Sequence, residues 1–302
     1  MKKIIITGAY GQDGVILSTI LRKKKYKVYG IVKKINQKKI NGVKYIKCNL
    51  INYENIKKKL NKVKPSCIVH FASKNPSYKE LKKGDDFFKD NLKVIKNLAD
   101  YIILNDKKIK LIFPGSSQMY GNVKKKVSEK QKFSPKNSYA KFRVSGHNLL
   151  MKIKKKYNLN ITTVILFNHD SVYRNKKFII PRVVNAIKNK NNKFLKHIFK
   201  ENICSDFSHA EDICNAIYLI IKSKTNLDKI ILAANKLTYL NDIINYLLKI
   251  TKYKLNLNYK LKKKKNIIGN NYLAKRQLNW KIKKNIFIAS HELLNKNYIK
   301  FN

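Results

Sequence analysis

The chain has 302 residues, 44% of them hydrophobic, which is enough to bury a sizeable core in one large domain or in one domain with an added lobe. Its formal net charge of +51 would ordinarily favour nucleic acid or an anionic membrane surface as the partner. Only five of the basic residues are arginines, so the charge indicates a compositional bias toward Lys, Asn and Ile and argues against bidentate recognition of phosphates or bases.

The remaining composition argues against several other classes of protein. The four cysteines have no short paired spacing, so neither a disulfide framework nor a zinc knuckle is indicated, and we expect buried thiols. The sequence shows no secretory signal and no long apolar segment. We therefore expect a cytoplasmic protein with no membrane partner, no specific nucleic acid partner and no bound metal.

Strand and helix patterns alternate along the first half of the chain. Short β-branched runs predict strands at residues 3–7, 27–32, 43–47, 67–71, 110–114 and 160–166. Apolar residues at helical spacing predict helices at 15–22, around 53–62, around 87–104 and around 138–156. This alternation is typical of an α/β protein with a doubly wound parallel sheet of the Rossmann type.

The regular alternation fades after residue 166. Helices are predicted at 178–189 and 211–222, and short mixed elements around 237–251 and 285–297. We expect residues 1–166 to form a cofactor-binding domain that carries the catalytic residues. Residues 167–302 should form mainly a smaller substrate-binding lobe, partly interleaved with the first domain because no Pro- or Gly-rich hinge separates them.

A glycine-rich segment, Thr-Gly-Ala-Tyr-Gly-Gln-Asp-Gly at 7–14, lies between the first predicted strand and helix. In this context Gly8 permits a tight turn, Gly11 lets the backbone approach a pyrophosphate and Gly14 allows close packing of helix on strand. The helix N-terminus supplies amide groups and partial positive charge for the phosphates. We place four further residues at the cofactor, namely Tyr10, Gln12, Asp13 and Ala72.

The end of the second predicted strand indicates which dinucleotide binds. A carboxylate there would accept hydrogen bonds from the ribose hydroxyls of NAD. The strand instead ends in Lys33 and Lys34, whose charges favour a 2′-phosphate. The sequence therefore predicts NADP, with NAD as the alternative.

Two later segments carry the candidate catalytic residues. Ser116 begins the segment Ser-Ser-Gln-Met-Tyr-Gly at the end of a predicted strand, where ligands bind in open parallel sheets. Tyr139 begins the next predicted helix, and Arg143 lies one turn further on the same face. A hydroxyl group, a tyrosine that can take a proton and a nearby cation that stabilises the phenolate are groups that a hydride-transfer site requires.

Together these segments resemble the extended short-chain dehydrogenase/reductase superfamily, and within it most closely the GDP-mannose 4,6-dehydratases. The resemblance covers nearly the whole chain. It rests on ITGAYGQDG, GIVKK, SSQMYG, SYAKFR, ILFNHDSVYRNKKFIIPR, DFSHAEDI and AKRQLNW. The GQDG and FNHDS elements are more specific than the glycine spacing alone.

The resemblance implies a role for each matching position. Ser116 corresponds to the residue that hydrogen-bonds the 4-hydroxyl of the sugar, and Tyr139 to the base that deprotonates it while C4 gives hydride to NADP. Asn168 resembles an asparagine that contacts the nucleotide diphosphate, and Arg182 a basic residue near the substrate or a subunit contact. His169 is either a cofactor contact or a structural hydrogen-bonding residue. The resemblance also implies a homodimer or a homotetramer.

The chain departs from the family pattern at the active site. Gln118 stands where the dehydratases have the glutamate that removes the C5 proton, and an amide is no base at neutral pH. Arg143 stands where a lysine is usual, and Ser205 where an arginine is usual. These departures leave open whether water is eliminated, which nucleotide base is bound and which sugar is the substrate.

Four functions follow from this reading. The first is an NADP-dependent 4,6-dehydratase-like lyase that converts GDP-mannose, or a related GDP-linked sugar, to a GDP-4-keto-6-deoxyhexose. The second is a nucleotide-sugar 4-epimerase or 4-keto-sugar reductase that lacks elimination because of Gln118. The third is a basic polyanion-binding protein on the same scaffold, and the fourth a nucleotide-sugar-binding protein without turnover.

Overall fold

The computed structural model describes residues 1–35, 40–73 and 86–295. In chain order the strands are β1 (Lys3–Thr7), β2 (Lys27–Val32), β3 (Val43–Lys47), β4 (Cys67–His70), β5 (Lys110–Ser116), β6 (Lys126–Val127), β7 (Ile161–Leu166), β8 (Asn168–Asp170), β9 (Cys204–His209), β10 (Lys229–Leu232), β11 (Leu237–Tyr239) and β12 (Ile268–Gly269). The α-helices are α1 (Gln12–Lys23), α2 (Tyr53–Val63), α3 (Phe87–Asn105), α4 (Ser138–Tyr157), α5 (Ile179–Lys188), α6 (Asn192–Lys200), α7 (Ala210–Lys222), α8 (Leu240–Ile250), α9 (Tyr272–Leu278) and α10 (Ile286–Leu294).

A seven-stranded parallel sheet lies at the centre, in the order β10-β7-β5-β4-β1-β2-β3. The strand order reverses between β1 and β4, and ligands of such sheets bind outside the carboxyl ends of the strands at this point. This arrangement confirms the predicted doubly wound α/β fold.

Helices cover both faces of the sheet because β1 and its neighbours are apolar on both sides. Ile4 and Ile6 of β1 face a layer that contains α1 and α7, while Ile5 faces the layer of α2, α3 and α4. All three isoleucines have no exposed surface. Alternate residues of a strand point to opposite faces, so an unbroken apolar run is what a sheet buried on both sides requires.

The later part of the chain contributes to both lobes. Strand β10 completes the edge of the main sheet, and α7 packs against α1. A second core contains α5, α6, α8 and α10, beside the small sheet β11-β9-β8. The segment after residue 166 therefore returns to the main sheet instead of forming a separate body.

The structure extends the predicted elements in several places. Strand β10 and helix α6 were not predicted, because one has four residues and the other is rich in lysine. Strand β5 continues through Pro114 to Ser116, since its last residues pair with β7. The helix predicted near the C-terminus ends at Leu294, and the rest of that prediction lies outside the described residues.

The structure also describes the cysteines, the length and polarity of the helices, and the possible metal ligands. All four cysteines are buried free thiols. Within the described ranges, no helix is both long enough and apolar enough to cross a membrane, and no group of three or more His, Cys, Asp or Glu side chains could hold a metal ion.

A buried carboxylate joins segments around the small sheet β11-β9-β8. Asp206 of β9 has no exposed surface, and its oxygens accept hydrogen bonds from the backbone N–H groups of Ala234 (2.8 Å), Asn235 (3.1 Å) and Gly269 (3.0 Å). Burial raises the pKa of Asp206 to about 6, although these N–H groups favour the charged form. One side chain thus connects β9 to the segment after β10 and to β12.

We expect Asp206→Asn to lower the free energy of unfolding by about 2 kcal/mol, because an amide offers one acceptor oxygen where the carboxylate offers two. Urea unfolding followed by circular dichroism measures the change. Asp100→Asn is the matched control, since its ion pair with Lys96 (2.6 Å) is largely exposed and should be worth less than about 0.5 kcal/mol. Equal stability of the two variants would contradict the role given to Asp206.

Candidate active site

A large cleft opens along the carboxyl ends of the parallel strands, with a volume of about 1560 Å³. Its walls come from the loops after β1, β2, β4 and β5, from the start of α4, and from the segment between β7 and α5. All of the predicted site residues except Gly14 and Arg182 line it. The cleft is large enough for a dinucleotide and a second ligand, compared with the hundreds of cubic ångströms of ordinary ligand pockets.

The glycine-rich loop between β1 and α1 forms one wall. Gly8 has a φ of +68°, and a Cβ atom there would lie 2.8 Å from the amide nitrogen of Ala72, so only glycine fits without strain. Gly11 is the N-cap of α1, and its own N–H donates to the carbonyl of Gly8 (2.9 Å). Gly14 does not face the cleft. A Cβ atom there would lie 2.5 Å from the carbonyl oxygen of Gly8, so this glycine lets the helix pack against the loop.

This loop fits the phosphates of a dinucleotide. The first backbone N–H groups of α1 have no partner within the helix. The residues that carry them line the cleft, where these groups and the helix dipole attract anions. The close approach of Gly8 to Ala72 leaves no side chain between the backbone and a ligand. Tyr10 stacks on Tyr45 with ring centroids 4.8 Å apart, which fixes the outer side of the loop.

An ion pair joins this loop to the segment after β7. Nε2 of His169 lies 3.0 Å from Oδ1 of Asp13, and Nδ1 of the same ring lies 2.6 Å from the carbonyl oxygen of Phe167. Both partners are acceptors, so the imidazole ring carries a proton on each nitrogen. The two most specific sequence elements, GQDG and FNHDS, therefore meet at one buried contact.

The pKa values of the pair reflect this contact. Burial opposes the charge on His169, but the Asp13 carboxylate beside it raises the pKa of the imidazolium above its ordinary value. Burial likewise opposes ionisation of Asp13, yet His169 and a weaker contribution from Arg174 hold the pKa of that carboxyl below its ordinary value. Each group thus favours the charged form of the other.

Further polar side chains extend the contact into a network. The side-chain amide of Gln12 donates to Asp13 (3.2 Å) and to the carbonyl of His169 (3.2 Å), and it accepts from the hydroxyl of Ser171 (3.0 Å). Nε of Arg174 lies 3.0 Å from Oδ1 of Asp170. We refer to Gln12, Asp13, His169, Asp170, Ser171 and Arg174 as the cleft network.

Arg174 is a cleft residue to which the sequence analysis gave no role. Its guanidinium carbon lies 3.6 Å from the ring centroid of Phe178, and both side chains line the cleft. The available signal was its position in FNHDSVYR, where an arginine stands in a chain otherwise rich in lysine. Its contact with Asp170 could not be read from spacing alone.

The candidate catalytic residues line the same cleft, at the end of β5 and the start of α4. Ser116 ends β5 and caps a 3₁₀ turn at Ser117–Tyr120, and its hydroxyl accepts from the N–H of Gln118 (3.2 Å). Tyr139 lies in the first turn of α4, and Asn137 caps that helix by accepting from the N–H of Ala140 (2.8 Å). Four of these residues line the cleft, namely Ser116, Gln118, Asn137 and Tyr139.

Arg143 lies behind Tyr139 and is buried. Its guanidinium carbon is 5.1 Å from the ring centroid of Tyr139, Nη1 donates to the carbonyl of Pro114 (2.8 Å) and Nη2 donates to the hydroxyl of Ser73 (3.2 Å). Within the described residues no carboxylate pairs with this charge. A buried cation without a carboxylate is costly, so the site is prepared for an anion such as a phenolate or a phosphate.

Gln118 is tied to the cap of the catalytic helix. Nδ2 of Asn137 donates to Oε1 of Gln118 (3.0 Å), while Oδ1 of Asn137 is committed to the N–H of Ala140. The sequence analysis did not single out Asn137. Its capping position just before α4 was readable, but the contact between the two amides was not.

His70 also went unnoticed in the sequence. This side chain is fully buried at the end of β4, and Nδ1 lies 2.8 Å from the hydroxyl of Thr7, whose oxygen also accepts from the N–H of Ala72. Burial, with a smaller effect of the Arg143 charge, lowers the pKa of His70 to about 3. The ring is therefore neutral and structural at ordinary pH.

The charges at the cleft are mainly positive. Besides Arg143 and Arg174, lysines line it at positions Lys33, Lys34, Lys47 and Lys59. Among the described residues the acidic side chains on its walls are Asp13 and Asp90. Such an excess attracts an anionic ligand and raises its rate of encounter.

Two predicted site residues have other surroundings. Arg182 is exposed on α5, with its guanidinium carbon 4.9 Å from the ring centroid of Phe194, and it does not line the cleft. Asn168 lines the cleft, but its amide donates to the hydroxyl of Ser205 (2.7 Å). The geometry therefore gives Arg182 no place at the cleft and connects Asn168 to the position where the family usually has an arginine.

This fold is shared by solved structures of a nucleotide-sugar 4,6-dehydratase and a nucleotide-sugar 4-epimerase, both in complex with NAD. The chain belongs to the GDP-mannose 4,6 dehydratase family, whose model matches residues 5–289. Both findings confirm the resemblance seen in the sequence. Membership in a family of nucleotide-sugar enzymes favours the enzymatic hypotheses over the polyanion-binding one.

The similar proteins are distant. GDP-mannose 4,6 dehydratase 1 of Arabidopsis thaliana is 24% identical over 76% of this chain and 70% of its own length. The Dictyostelium discoideum GDP-mannose 4,6 dehydratase is 27% identical over 76% and 70%. For the Drosophila melanogaster protein the identity is 23%, and the match spans 63% of that relative, less than two thirds.

Solved structures share the fold at still lower identity. The dTDP-glucose 4,6-dehydratase of Bacillus anthracis in complex with NAD has a TM-score of 0.80 and 16% identity, covering 97% of this chain and 96% of that one. The UDP-glucuronic acid 4-epimerase of Bacillus cereus in complex with NAD has a TM-score of 0.79 and 18% identity, covering 97% and 100%. At these identities the likeness concerns the fold alone.

We expect His169→Gln to lower the free energy of unfolding by about 2 kcal/mol at pH 6, because it leaves the partly buried Asp13 carboxylate without its cation. The raised pKa of His169 means that its contribution is complete below about pH 6.5 and is lost as the pH rises through the higher folded value. The lowered pKa of Asp13 means that its contribution is complete above pH 3.8 and is lost as the pH falls through the lower folded value.

Urea unfolding at a series of pH values measures this effect. The difference between the native chain and His169→Gln should be largest between about pH 4 and 6.5 and should shrink on the alkaline side. His197→Gln is the control, because His197 lies on α6, away from the cleft. A difference that does not vary with pH would show that His169 is neutral.

Proposed function

We propose that this protein is an NADP-dependent enzyme that oxidises the C4 hydroxyl of a GDP-linked hexose. The observation that carries the proposal is that Ser116, Tyr139 and Arg143 line the same cleft as the glycine-rich loop. Family membership supports the GDP-linked substrate, since the relatives named above are GDP-mannose 4,6 dehydratases. We retain the cytoplasmic location and the homodimer or homotetramer as parts of the same proposal.

The proposed chemistry assigns one task to each residue. Bound NADP would supply the acceptor for the hydride that leaves C4. The hydroxyl of Ser116 holds the 4-hydroxyl of the sugar, and the phenolate of Tyr139 takes its proton. Arg143, fixed 5.1 Å from the tyrosine ring by Pro114 and Ser73, stabilises that phenolate as a permanent cation. Its two hydrogen bonds hold the guanidinium in place without neutralising it.

Lys33 and Lys34 support NADP as the cofactor. Both line the cleft directly after β2, the strand whose end meets the adenosine ribose in dinucleotide-binding sheets of this type. Lys47 and Lys59 line the same region and add to the positive charge. A 2′-phosphate would be attracted there, whereas a ribose hydroxyl would find no carboxylate on β2.

Two kinds of reaction fit the family, one without and one with elimination of water. The contact between Gln118 and Asn137 favours return of the hydride to C4, as in a 4-epimerase, or delivery of hydride to a 4-keto sugar, as in a reductase. Both need Ser116, Tyr139 and the cofactor but no base at position 118. Elimination of water, as in a 4,6-dehydratase that converts GDP-mannose to GDP-4-keto-6-deoxyhexose, is the second candidate, and family membership favours it.

We expect Tyr139→Phe to slow hydride transfer at least about 100-fold, because the variant cannot take the proton of the 4-hydroxyl. Reduction of NADP by added GDP-hexose is followed by the near-ultraviolet absorbance of NADPH in a single turnover. Tyr157→Phe, at the end of the same helix and outside the cleft, is the control and should react normally. Unchanged hydride transfer in Tyr139→Phe would reject the proposed site.

We expect Gln118→Glu to increase the elimination of water from GDP-mannose about 100-fold, since a carboxylate at this position can accept the C5 proton. The 4-keto-6-deoxy product is detected by mass spectrometry. Gln131→Glu, which places the same charge outside the cleft, should give no increase. Failure of Gln118→Glu to form more product than this control would show that residue 118 does not face C5.

A further inference from the structure

The orientation of the Gln118 side chain follows from its neighbours. Oδ1 of Asn137 accepts from the N–H of Ala140 at the start of α4, so the Nδ2 amino group of Asn137 is the end that faces Gln118. An amino group only donates, and its partner must therefore be Oε1 of Gln118. The end of the Gln118 amide that has no hydrogen bond among the described residues is the Nε2 amino group.

Position 118 thus offers the cleft a fixed hydrogen-bond donor. Gln118 is exposed on the cleft wall, two residues after Ser116 and beside the capped end of the helix that carries Tyr139. With C4 of the sugar at Ser116 and Tyr139, as the proposed function has it, this donor lies on the C5 side of the ring. A substituent there that can only accept hydrogen bonds would match it better than a hydroxyl group.

The charges at the cleft agree with an anionic substituent. Arg143 and Arg174 line the cleft, and Asp13 is neutralised by His169. A glutamate at position 118 would repel a carboxylate on the sugar, and the amide both removes that repulsion and donates to it. The same substitution that removes a base therefore creates a site for an acid.

We infer that Gln118, oriented by Asn137, selects nucleotide-linked hexuronates, whose C6 is a carboxylate. This inference rests on the proposed function, because it uses the position of C4 between Ser116 and Tyr139. Gln118 is the specificity-determining residue and Asn137 a positioning residue that acts through it. A C6 carboxylate has no hydroxyl group to eliminate, so the inferred substrate also agrees with return of hydride to C4.

Calorimetric titration of the NADP-loaded protein with GDP-mannose, GDP-mannuronate and GDP tests the inference. We expect GDP-mannuronate to bind at least about tenfold more tightly than GDP-mannose. Gln118→Met removes the donor and should bring the two affinities to within about twofold of each other. Gln118→Glu should reverse the preference, because its carboxylate repels that of the sugar.

Asn137→Asp separates orientation from capping. Aspartate caps a helix as well as asparagine does, so α4 should keep its stability. Its second oxygen can only accept, which turns the Gln118 amide around and presents Oε1 to the cleft. The preference for GDP-mannuronate should disappear in this variant, while GDP alone should bind all variants equally. A purely structural role for Asn137 would leave the preference unchanged.

The outcomes distinguish the inference from the proposed function. Equal affinity of the native protein for the two sugars, a preference for GDP-mannose, or an unchanged preference in Asn137→Asp would overturn the inference and leave C4 oxidation standing. Binding of neither sugar nucleotide and no GDP would refute the proposed function, and the inference would fall with it. A preference for GDP-mannuronate that is lost in Asn137→Asp and reversed in Gln118→Glu would establish the inference.

Discussion

The buried ion pair between Asp13 and His169 is the contact on which the cleft depends. It joins the first turn of α1, where phosphates would bind under the proposed function, to β8 in the segment between β7 and α5. Without His169, the Asp13 carboxylate would place an uncompensated negative charge beside an anion-binding helix N-terminus. The pair therefore fixes the relative position of the two walls of the cleft and keeps one of them attractive to phosphate.

Arg143 differs from the Asp13–His169 pair because its charge has no oppositely charged partner among the described residues. Arg143 is buried and held by a carbonyl and a hydroxyl group, neither of which neutralises it. Such a cation remains available to a phenolate or a phosphate, which a tight carboxylate pair would prevent. Its planar fork makes both contacts at once, and the shorter reach of a single ammonium group would not reproduce that geometry. The hydrogen bonds of Arg143 therefore fix its guanidinium group within the site.

The amide pair of Asn137 and Gln118 links helix capping to chemistry. The oxygen of Asn137 is used by the helix, so the direction of the Gln118 amide is set by the backbone of α4. A catalytic base and a fixed donor differ here by one atom of one side chain. The protein therefore keeps the fold of its family, and under the proposed function the amide at position 118 changes what the site offers to C5 and C6.

The sequence was most informative where the signal is local. The apolar runs of β1 and β2 predicted the buried parallel strands, because a strand covered on both faces needs apolar residues on both. The turn at Gly8 could be predicted from the sequence because a glycine marks it. Its φ of +68° and the nearby backbone nitrogen of Ala72 admit only glycine. The places of Ser116 and Tyr139 could be predicted because Ser116 comes at the end of a predicted strand and Tyr139 at the start of a predicted helix. The four-residue β10 and the position of Arg182 were not, since neither carries a periodic signal.

The sequence by itself therefore determined the fold class, the family and the glycine-rich turn after β1. Only the tertiary structure decided how the side chains pair. Asp13 and His169 are 156 residues apart, and Gln118 and Asn137 are 19 apart. Periodicity and turn chemistry describe neighbours along the chain, whereas protonation of an imidazole ring and the direction of an amide depend on groups that folding brings within about 3 Å of each other.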